Sequence, residues 1–307
     1  MSKNLNFLNE LKKFNDIEFL IDEPLSSYTT FKIGGKADYI IKPTNIDQLK
    51  KLILQLKNAK IDYCFLGNGS NILVSDNGYR GAVILLSNFN KYEIIDKSKC
   101  LVSCQAGVNL SNFCNFLKDN SLTGLEFAYG IPGTVGGAVY MNAGAYDGEM
   151  KNVVISCTFI NENNEILTYD KSELDFSYRH SYFSHKKCCI LSAEFLLENG
   201  EKSAIQDKMT ELINKRISKQ PLEFPSGGST FKRPEGNYAS ALITQCGLQG
   251  KRVGGAMVSE KHSGFIINYD NATCQDVLDL VDEIKQTVFG QTGYDLECEI
   301  KMLGKQN

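Results

Sequence analysis

A chain of 307 residues exceeds the usual size of one domain and predicts two or three packed units with substantial cores. Its 42% hydrophobic and 22% charged content is that of a globular protein, and a formal net charge of −3 speaks against a nucleic-acid backbone as the main partner. Ten cysteines scattered through apolar segments, with no Cys-x-x-Cys pair, and three histidines in all argue for reduced, mostly buried thiols and against a disulfide framework or a metal centre.

The stretch Met1-Ser2-Lys3-Asn4-Leu5 is polar and carries no apolar h-region, and no apolar run is long enough to span a bilayer. A cytoplasmic protein without membrane insertion is therefore expected. Residues 5 to 14 predict a short amphipathic helix, interrupted by Asp22-Glu23-Pro24-Leu25. Pro43 and Thr44 open a helix over about 45–59, in which Ile46, Leu49, Ile53 and Leu56 recur at helical spacing with Leu52 alongside.

A strand over 63–66 runs into Gly67-Asn68-Gly69-Ser70-Asn71. A dinucleotide fingerprint needs a third glycine where Ile72 stands, and a helix where 72–74 and 81–86 read as strands, so a Rossmann domain is not expected. The loop reads either as a plain β-turn or as a cradle of backbone N–H groups for a phosphate or pyrophosphate.

Strands over 92–96 and 101–105 precede a helix over 109–119 built on Leu110, Phe113, Phe116 and Leu117. From Gly124 to Tyr146 glycine and alanine are too dense for a side-chain core. Either two backbone segments pack tightly there or a flat ligand approaches closely, with Thr134 to Tyr140 as a short helix whose N-terminus faces an anion. Strands follow over 153–160, 165–170 and 189–198. Between the last two, Phe176-Ser177-Tyr178-Arg179-His180-Ser181-Tyr182-Phe183 sets an arginine among aromatics, which suits a structural cation–π contact or a fixed positive charge for a carboxylate.

A helix over 203–219, with Ile205, Met209, Leu212, Ile213 and Ile217 on one face, opens a third unit. In Pro225-Ser226-Gly227-Gly228-Ser229-Thr230-Phe231-Lys232-Arg233-Pro234 two glycines precede Ser229, and prolines stiffen both sides; the loop is a surface turn or a rigid mount for a hydroxyl. A helix over 237–246, a strand over 265–268 and a helix over 273–289 come next. The alternation of 294–301 predicts a strand with Glu297, Glu299 and Lys301 on one face, the usual pattern of an exposed charged edge.

Six segments, in order, resemble the UDP-N-acetylenolpyruvoylglucosamine reductase family of peptidoglycan precursor synthesis: Tyr28 to Gly35, Leu66 to Asn71, Gly130 to Gly137, Tyr178 to Phe183, Gly228 to Pro234 and Leu296 to Glu299. The likeness is to the shorter form, since Phe183-Ser184-His185-Lys186-Lys187 passes straight into the 189–198 strand without a tyrosine-bearing loop. It implies an α+β, three-unit flavoprotein: a p-cresol methylhydroxylase-type FAD-binding fold over 1–90 and 91–200, and a C-terminal α/β substrate-binding domain over 201–307. It also implies that the C-terminal strand packs back on the first unit.

The same resemblance implies noncovalent FAD held by Gly67, Asn68, Gly69, Ser70 and Asn71, by Gly130, Ile131, Pro132, Gly133, Thr134, Gly136, Gly137 and Ala138, and by Asn142, Gly144, Ala145 and Tyr146. NADPH would be the reductant and UDP-N-acetylglucosamine enolpyruvate the substrate, with a monomer or weak oligomer as the working form. Ser229 would protonate C2, while Arg179 and a protonated Glu299 stabilise the enolate; Tyr178, Lys232 and Arg233 would bind substrate. Cys298 stands where relatives commonly carry proline, and Arg233 where longer relatives carry asparagine. The competing readings are another FAD-dependent oxidoreductase of the same fold and a nucleotide-sugar binding module without catalysis.

Overall fold

In the computed structural model, which describes residues 5–14 and 16–306, strands and helices alternate irregularly along the chain. The reading of Met1 to Asn4 lies outside the described residues. Helix α1 (Leu5–Leu11) is followed by strands β1 (Glu18–Pro24) and β2 (Lys36–Lys42), helix α2 (Ile46–Asn58), and strands β3 (Tyr63–Leu66), β4 (Ile72–Val74) and β5 (Tyr79–Leu85). Then come β6 (Tyr92–Asp96), β7 (Leu101–Gln105), α3 (Leu110–Asp119), β8 (Leu122–Thr123), α4 (Val135–Tyr140), β9 (Gly144–Ala145), β10 (Gly148–Glu149), α5 (Met150–Val153), β11 (Val154–Ile160) and β12 (Ile166–Asp170). The remainder is β13 (Cys189–Leu196), β14 (Glu198–Asn199), α6 (Lys202–Lys219), α7 (Ala239–Gln245), β15 (Arg252–Val253), β16 (Ala256–Val258), β17 (Ile266–Asn268), α8 (Cys274–Thr292) and β18 (Lys301–Leu303).

The contacts divide the chain into two units: Met1–Leu20, Tyr39–Gly67 and Gly81–Lys215 form one, and Ile21–Asp38, Asn68–Arg80 and Arg216–Asn307 the other. This grouping by contacts interleaves segments of the stretches 1–90, 91–200 and 201–307. Two observations give the physical reason. Ile205 and Met209 of α6 are buried in the same core as β7, β11 and β13, so the start of that helix belongs with what precedes it. Strand β18 pairs in parallel with β4, Lys301 opposite Ile72 and Leu303 opposite Val74, so a segment near residue 70 belongs with the C-terminal part.

The first unit is built on an antiparallel sheet of order β12-β11-β13-β7-β6. One face carries the core of Val102, Cys104, Phe113, Leu117, Phe159 and Phe195, covered by α3, whose buried Leu110, Phe113, Cys114 and Leu117 follow the helical period. The same unit holds β3 and β5, which pair in parallel with Tyr63 opposite Ala82. Helix α2 is capped by Asn45, whose side chain accepts the Gln48 amide, and buries Leu49, Leu52, Ile53 and Leu56 as the spacing predicts.

In the second unit, β15, β16 and β17 form an antiparallel meander whose core, including Val258 and Ile266, also contains Leu242 and Ile243 of α7 and Val277, Leu280, Val281, Ile284 and Val288 of α8. Helix α8 starts in a capping box, Thr273 with Asp276, and ends on Gly293 at φ 75°. Of the expected strand over 294–301, the structure forms an isolated bridge at Cys298 and a ladder that starts at Lys301 and runs to Leu303. The cysteines are free, and burial pushes the thiols of Cys104, Cys114 and Cys157 far up, so they stay protonated. Among the described residues, no helix is long and apolar enough to cross a membrane.

Candidate active site

The glycine loop after β3 is shaped by close packing at both of its glycines. A Cβ on Gly67 would lie 2.7 Å from the Thr134 hydroxyl oxygen, so within the first unit the two glycine-rich loops touch. Gly69 has φ +60°, and a Cβ there would lie 2.4 Å from the Tyr28 carbonyl oxygen and 2.9 Å from Thr29 Cα. The Thr30 amide donates to the Gly69 carbonyl at 3.3 Å. The amides of Gly69 and Ser70 donate to no acceptor among the described residues, and the hydroxyl of Thr29, a residue only 7% exposed, has no hydrogen-bond partner. Such a set of unsatisfied donors is what an anionic oxygen requires.

Asn71 links this loop to the C-terminal segment. Its side-chain amide donates to the Glu299 carbonyl at 3.2 Å, and its own carbonyl accepts the Lys301 amide at 3.0 Å. Glu299 in turn is tied to the serine loop. Phe231 and Cys298 face each other in an antiparallel bridge, flanked by bonds of 2.8 Å from the Lys232 amide to the Glu297 carbonyl and from the Glu299 amide to the Thr230 carbonyl. In this register the Cys298 amide is not part of the ladder, so cysteine and proline at that position are compatible with the same pairing.

Thr230 is 2% exposed and anchored on three sides: its amide donates to the Gly264 carbonyl at 2.8 Å, its hydroxyl accepts the Ile266 amide at 3.0 Å, and its carbonyl takes Glu299. Ser226 is held by Thr30 through two bonds, of 2.7 and 3.2 Å. Between these anchors Gly228 has φ +80°, and Ser229 is exposed, its hydroxyl without a partner among the described residues. The loop therefore presents one free hydroxyl from a fixed backbone.

In the first unit, Thr134 caps α4 by accepting the Gly137 amide at 3.3 Å. The dense glycines divide in role. A Cβ on Gly136 would lie 2.7 Å from Ala106 Cβ, which is tight packing, whereas Gly137 has only the Thr134 hydroxyl oxygen, at 3.5 Å, as a neighbour. The amides of Gly133 and Thr134 donate to no acceptor among the described residues.

Arg179 sits in the same unit at φ +54°, in a tight turn closed by reciprocal amide–carbonyl bonds between Ser177 and His180. Its guanidinium lies 5.1 Å from the centroid of the half-exposed Tyr178 ring. A left-handed arginine is strained, and such strain persists only where the surroundings hold it. Asn142 supplies that hold. It is fully buried, donates to the Ser177 carbonyl at 2.9 Å and to the Glu149 carboxylate at 2.8 Å, and accepts the Lys151 amide at 2.9 Å.

Of the residues singled out by sequence, Asn71, Ser229, Lys232 and Glu299 come together in the second unit, while the Gly130–Ala138 loop, Asn142 and Arg179 lie in the first. Lys232 is paired with Glu297 at 2.5 Å, and the Arg233 guanidinium stacks 4.1 Å from the Tyr238 ring centroid. Gly144 and Ala145 form β9 of a hairpin whose turn is Tyr146-Asp147, both at positive φ. Asn142, expected at a cofactor, has its side-chain hydrogen-bonding capacity taken up by protein. Thr29 and Thr230 were not singled out, and no spacing signal marks them, because burial of a hydroxyl is set by segments distant in sequence.

Residues 220–303 match the family described as UDP-N-acetylenolpyruvoylglucosamine reductase, C-terminal domain, and residues 37–170 match the FAD binding domain family. The UDP-N-acetylenolpyruvoylglucosamine reductase of Clostridium botulinum (strain Okra) is 45% identical over 305 residues, 98% of this chain and 99% of the relative. That of Clostridium perfringens (strain SM101) is 44% identical over 306 residues, 99% of this chain and all of the relative. The crystal structure of the UDP-N-acetylenolpyruvylglucosamine reductase of Thermus caldophilus superposes with a TM-score of 0.79 at 33% identity, over 94% of this chain and all of that one.

Proposed function

Because the chain belongs to the UDP-N-acetylenolpyruvoylglucosamine reductase family, we propose that Ser229, Glu299 and Arg179 carry out the proton and charge chemistry of that reduction. The enzyme reduces UDP-N-acetylenolpyruvoylglucosamine in peptidoglycan synthesis, with FAD as cofactor and NADPH as reductant. It acts in the cytoplasm, as a monomer or weak oligomer.

The residues present suit FAD. In the second unit the amides of Gly69 and Ser70 and the orphaned Thr29 hydroxyl, without partners among the described residues, are neutral donors suited to a phosphate; in the first unit the amides of Gly133 and Thr134 are open in the same way. Gly67 to Asn71 and Gly130 to Ala138 would hold the cofactor, with Gly144, Ala145 and Tyr146 beside them. Asn142 acts behind this surface, by fixing the Arg179 turn. When bound and reduced, FAD supplies the hydride for C3 of the enolpyruvyl group.

Negative charge then develops on C2 and on the carboxylate joined to it. Arg179 answers that charge with a planar fork of donors suited to a carboxylate, and Glu299, in its acid form, donates a further hydrogen bond. The Ser229 hydroxyl gives its proton to C2. A serine is a weak acid, and the transfer is feasible because the acceptor is an enolate at bonding distance. Tyr178, Lys232 and Arg233 bind the sugar diphosphate, Lys232 with its charge steadied by Glu297.

The observation that carries this reading is the ladder between Thr230 and Glu299, which places a free, exposed serine hydroxyl one residue from the partner of the last acidic residue. In Ser229→Ala, NADPH should still bleach the flavin at the wild-type rate, while reoxidation by the enolpyruvyl substrate slows by roughly 10²–10⁴-fold. Unchanged reoxidation in stopped flow removes Ser229 from the mechanism.

A further inference from the structure

We propose that His262 is a positioning residue for the Ser229–Glu299 pair, acting through Gly264. The Gly264 amide donates to His262 Nδ1 at 3.1 Å, and the Gly264 carbonyl accepts the Thr230 amide at 2.8 Å. Thr230 follows Ser229 directly, and its carbonyl accepts the Glu299 amide at 2.8 Å. Three hydrogen bonds thus run from one imidazole nitrogen to the backbone on which both proposed proton-handling groups are mounted. The inference rests on the reading of Ser229 given above.

Gly264 needs such a tether. A Cβ on it would lie 2.9 Å from His262 Cε1 and 3.4 Å from Ser240 Cβ, so the site admits glycine alone at normal contact distances. Glycine is also the residue least able to hold its own conformation, so the imidazole bond on the Gly264 amide fixes one side of the residue while the Phe265 amide, bonded to the His262 carbonyl, fixes the peptide plane that carries the carbonyl facing Thr230. The imidazole, by contrast, is locked. The His262 and Lys261 amides both donate to the hydroxyl of the buried Ser259, at 3.2 and 3.1 Å. The His262 carbonyl accepts the Phe265 amide at 2.9 Å, and the two rings meet edge-on with centroids 4.9 Å apart.

The bond to Gly264 requires an unprotonated Nδ1, hence the neutral ring with its proton on Nε2. Burial pushes the His262 pKa below its ordinary 6.5, which favours that form. Glu260 and Lys261 precede the histidine in sequence, Lys261 pairing with Glu223 at 3.6 Å, and no charged side chain contributes to the shift.

The test compares His262→Ala with His262→Asn in the FAD-loaded enzyme. Asparagine places its Oδ1 close to where Nδ1 stood, so it preserves the acceptor and discards the ring. In His262→Ala, flavin reduction by NADPH and FAD affinity should be unchanged while substrate-driven reoxidation slows by roughly 10–100-fold, the scale of a small misplacement of a reacting group. Amide hydrogen exchange at Thr230 and Glu299 should accelerate by about tenfold or more, a local loss of protection. His262→Asn should restore both quantities to near the wild-type values.

Normal reoxidation or unaltered exchange in His262→Ala overturns the proposal, and so does a His262→Asn variant as impaired as the alanine, which would assign the effect to ring packing. The exchange measurement does not depend on what Ser229 does. Normal reoxidation in Ser229→Ala therefore defeats the serine reading alone, and unaltered exchange in His262→Ala defeats the positioning reading alone.

Discussion

The Asn142 side-chain amide donates to the Ser177 carbonyl at 2.9 Å, and two residues further on Arg179 stands in a left-handed backbone conformation. The asparagine spends its other proton on Glu149 and its oxygen on the Lys151 amide, so it is a three-way brace for the turn. Asn142→Asp turns both donors into an acceptor facing a carbonyl and a carboxylate. We expect a loss of about 1–3 kcal/mol in urea unfolding, the cost of unpaired buried polar groups. Reoxidation by substrate should slow in parallel, with FAD affinity retained. A variant as stable and as fast as wild type would mean that the brace is dispensable.

Arg179 itself should show function held at the expense of stability. At φ +54° a side chain costs about 1–2 kcal/mol relative to glycine, offset in part by glycine's larger unfolded-state entropy of roughly 0.5–1 kcal/mol. Arg179→Gly is therefore expected to melt no lower than wild type, and up to a few degrees higher, while its reoxidation half-reaction fails. A clear drop in melting temperature would show that the guanidinium contacts outweigh the strain.

Gly69→Ala tests the cofactor loop. The added Cβ meets the Tyr28 carbonyl oxygen at 2.4 Å, and the neighbouring backbone has to move. A strain of about 1–2 kcal/mol placed on the bound conformation corresponds to a roughly tenfold weaker FAD complex. Fluorescence titration of the apoprotein measures this directly, and equal affinities would place the cofactor elsewhere than this loop.

Acid stability should carry the signature of Asp276. Burial raises its pKa, but the Thr273 and Gly255 amides and the Thr273 hydroxyl, all donating to the carboxylate, outweigh that effect and hold it below the ordinary 3.8. With the folded value below the unfolded one, the stabilisation is fully present above about pH 4 and is lost as pH falls through the folded value. Asp276→Asn should then be less stable than wild type by about 1 kcal/mol at pH 7, as for other lost helix caps. The gap should narrow as the pH falls through the acid range, measured by urea unfolding at both ends. A gap that stays constant with pH would leave the carboxylate charge without a role.

Much of the fold could be read from periodicity. Helices α2, α3 and α8 bury the positions that their spacing predicts, because each packs one face on a single core. The strand after Gly67-Asn68-Gly69-Ser70-Asn71, which spoke against a dinucleotide fold, is β4. The return of the C-terminal strand, implied by the family resemblance, is the pairing of β18 with β4, whereas which core claims the first half of α6 depends on packing that no local pattern records. At the site, Ser229 and Glu299 were visible as chemistry-bearing types in suggestive settings. Asn142, Thr230 and His262 act through backbone bonds to partners far along the chain, and no local pattern records such partners.

The parallel pairing of β4 with β18 has a consequence for the order of assembly. Among the described residues, 72–74 pair with 301–303, and Asn71 donates to the Glu299 carbonyl and accepts the Lys301 amide, partners more than two hundred residues later. Contacts of such sequence separation form late, because the long loop must close before they return any stabilisation. During synthesis the glycine loop therefore lacks its anchorage at Asn71 until residues 299–303 have emerged, and its folded geometry is not an early product of the preceding segments.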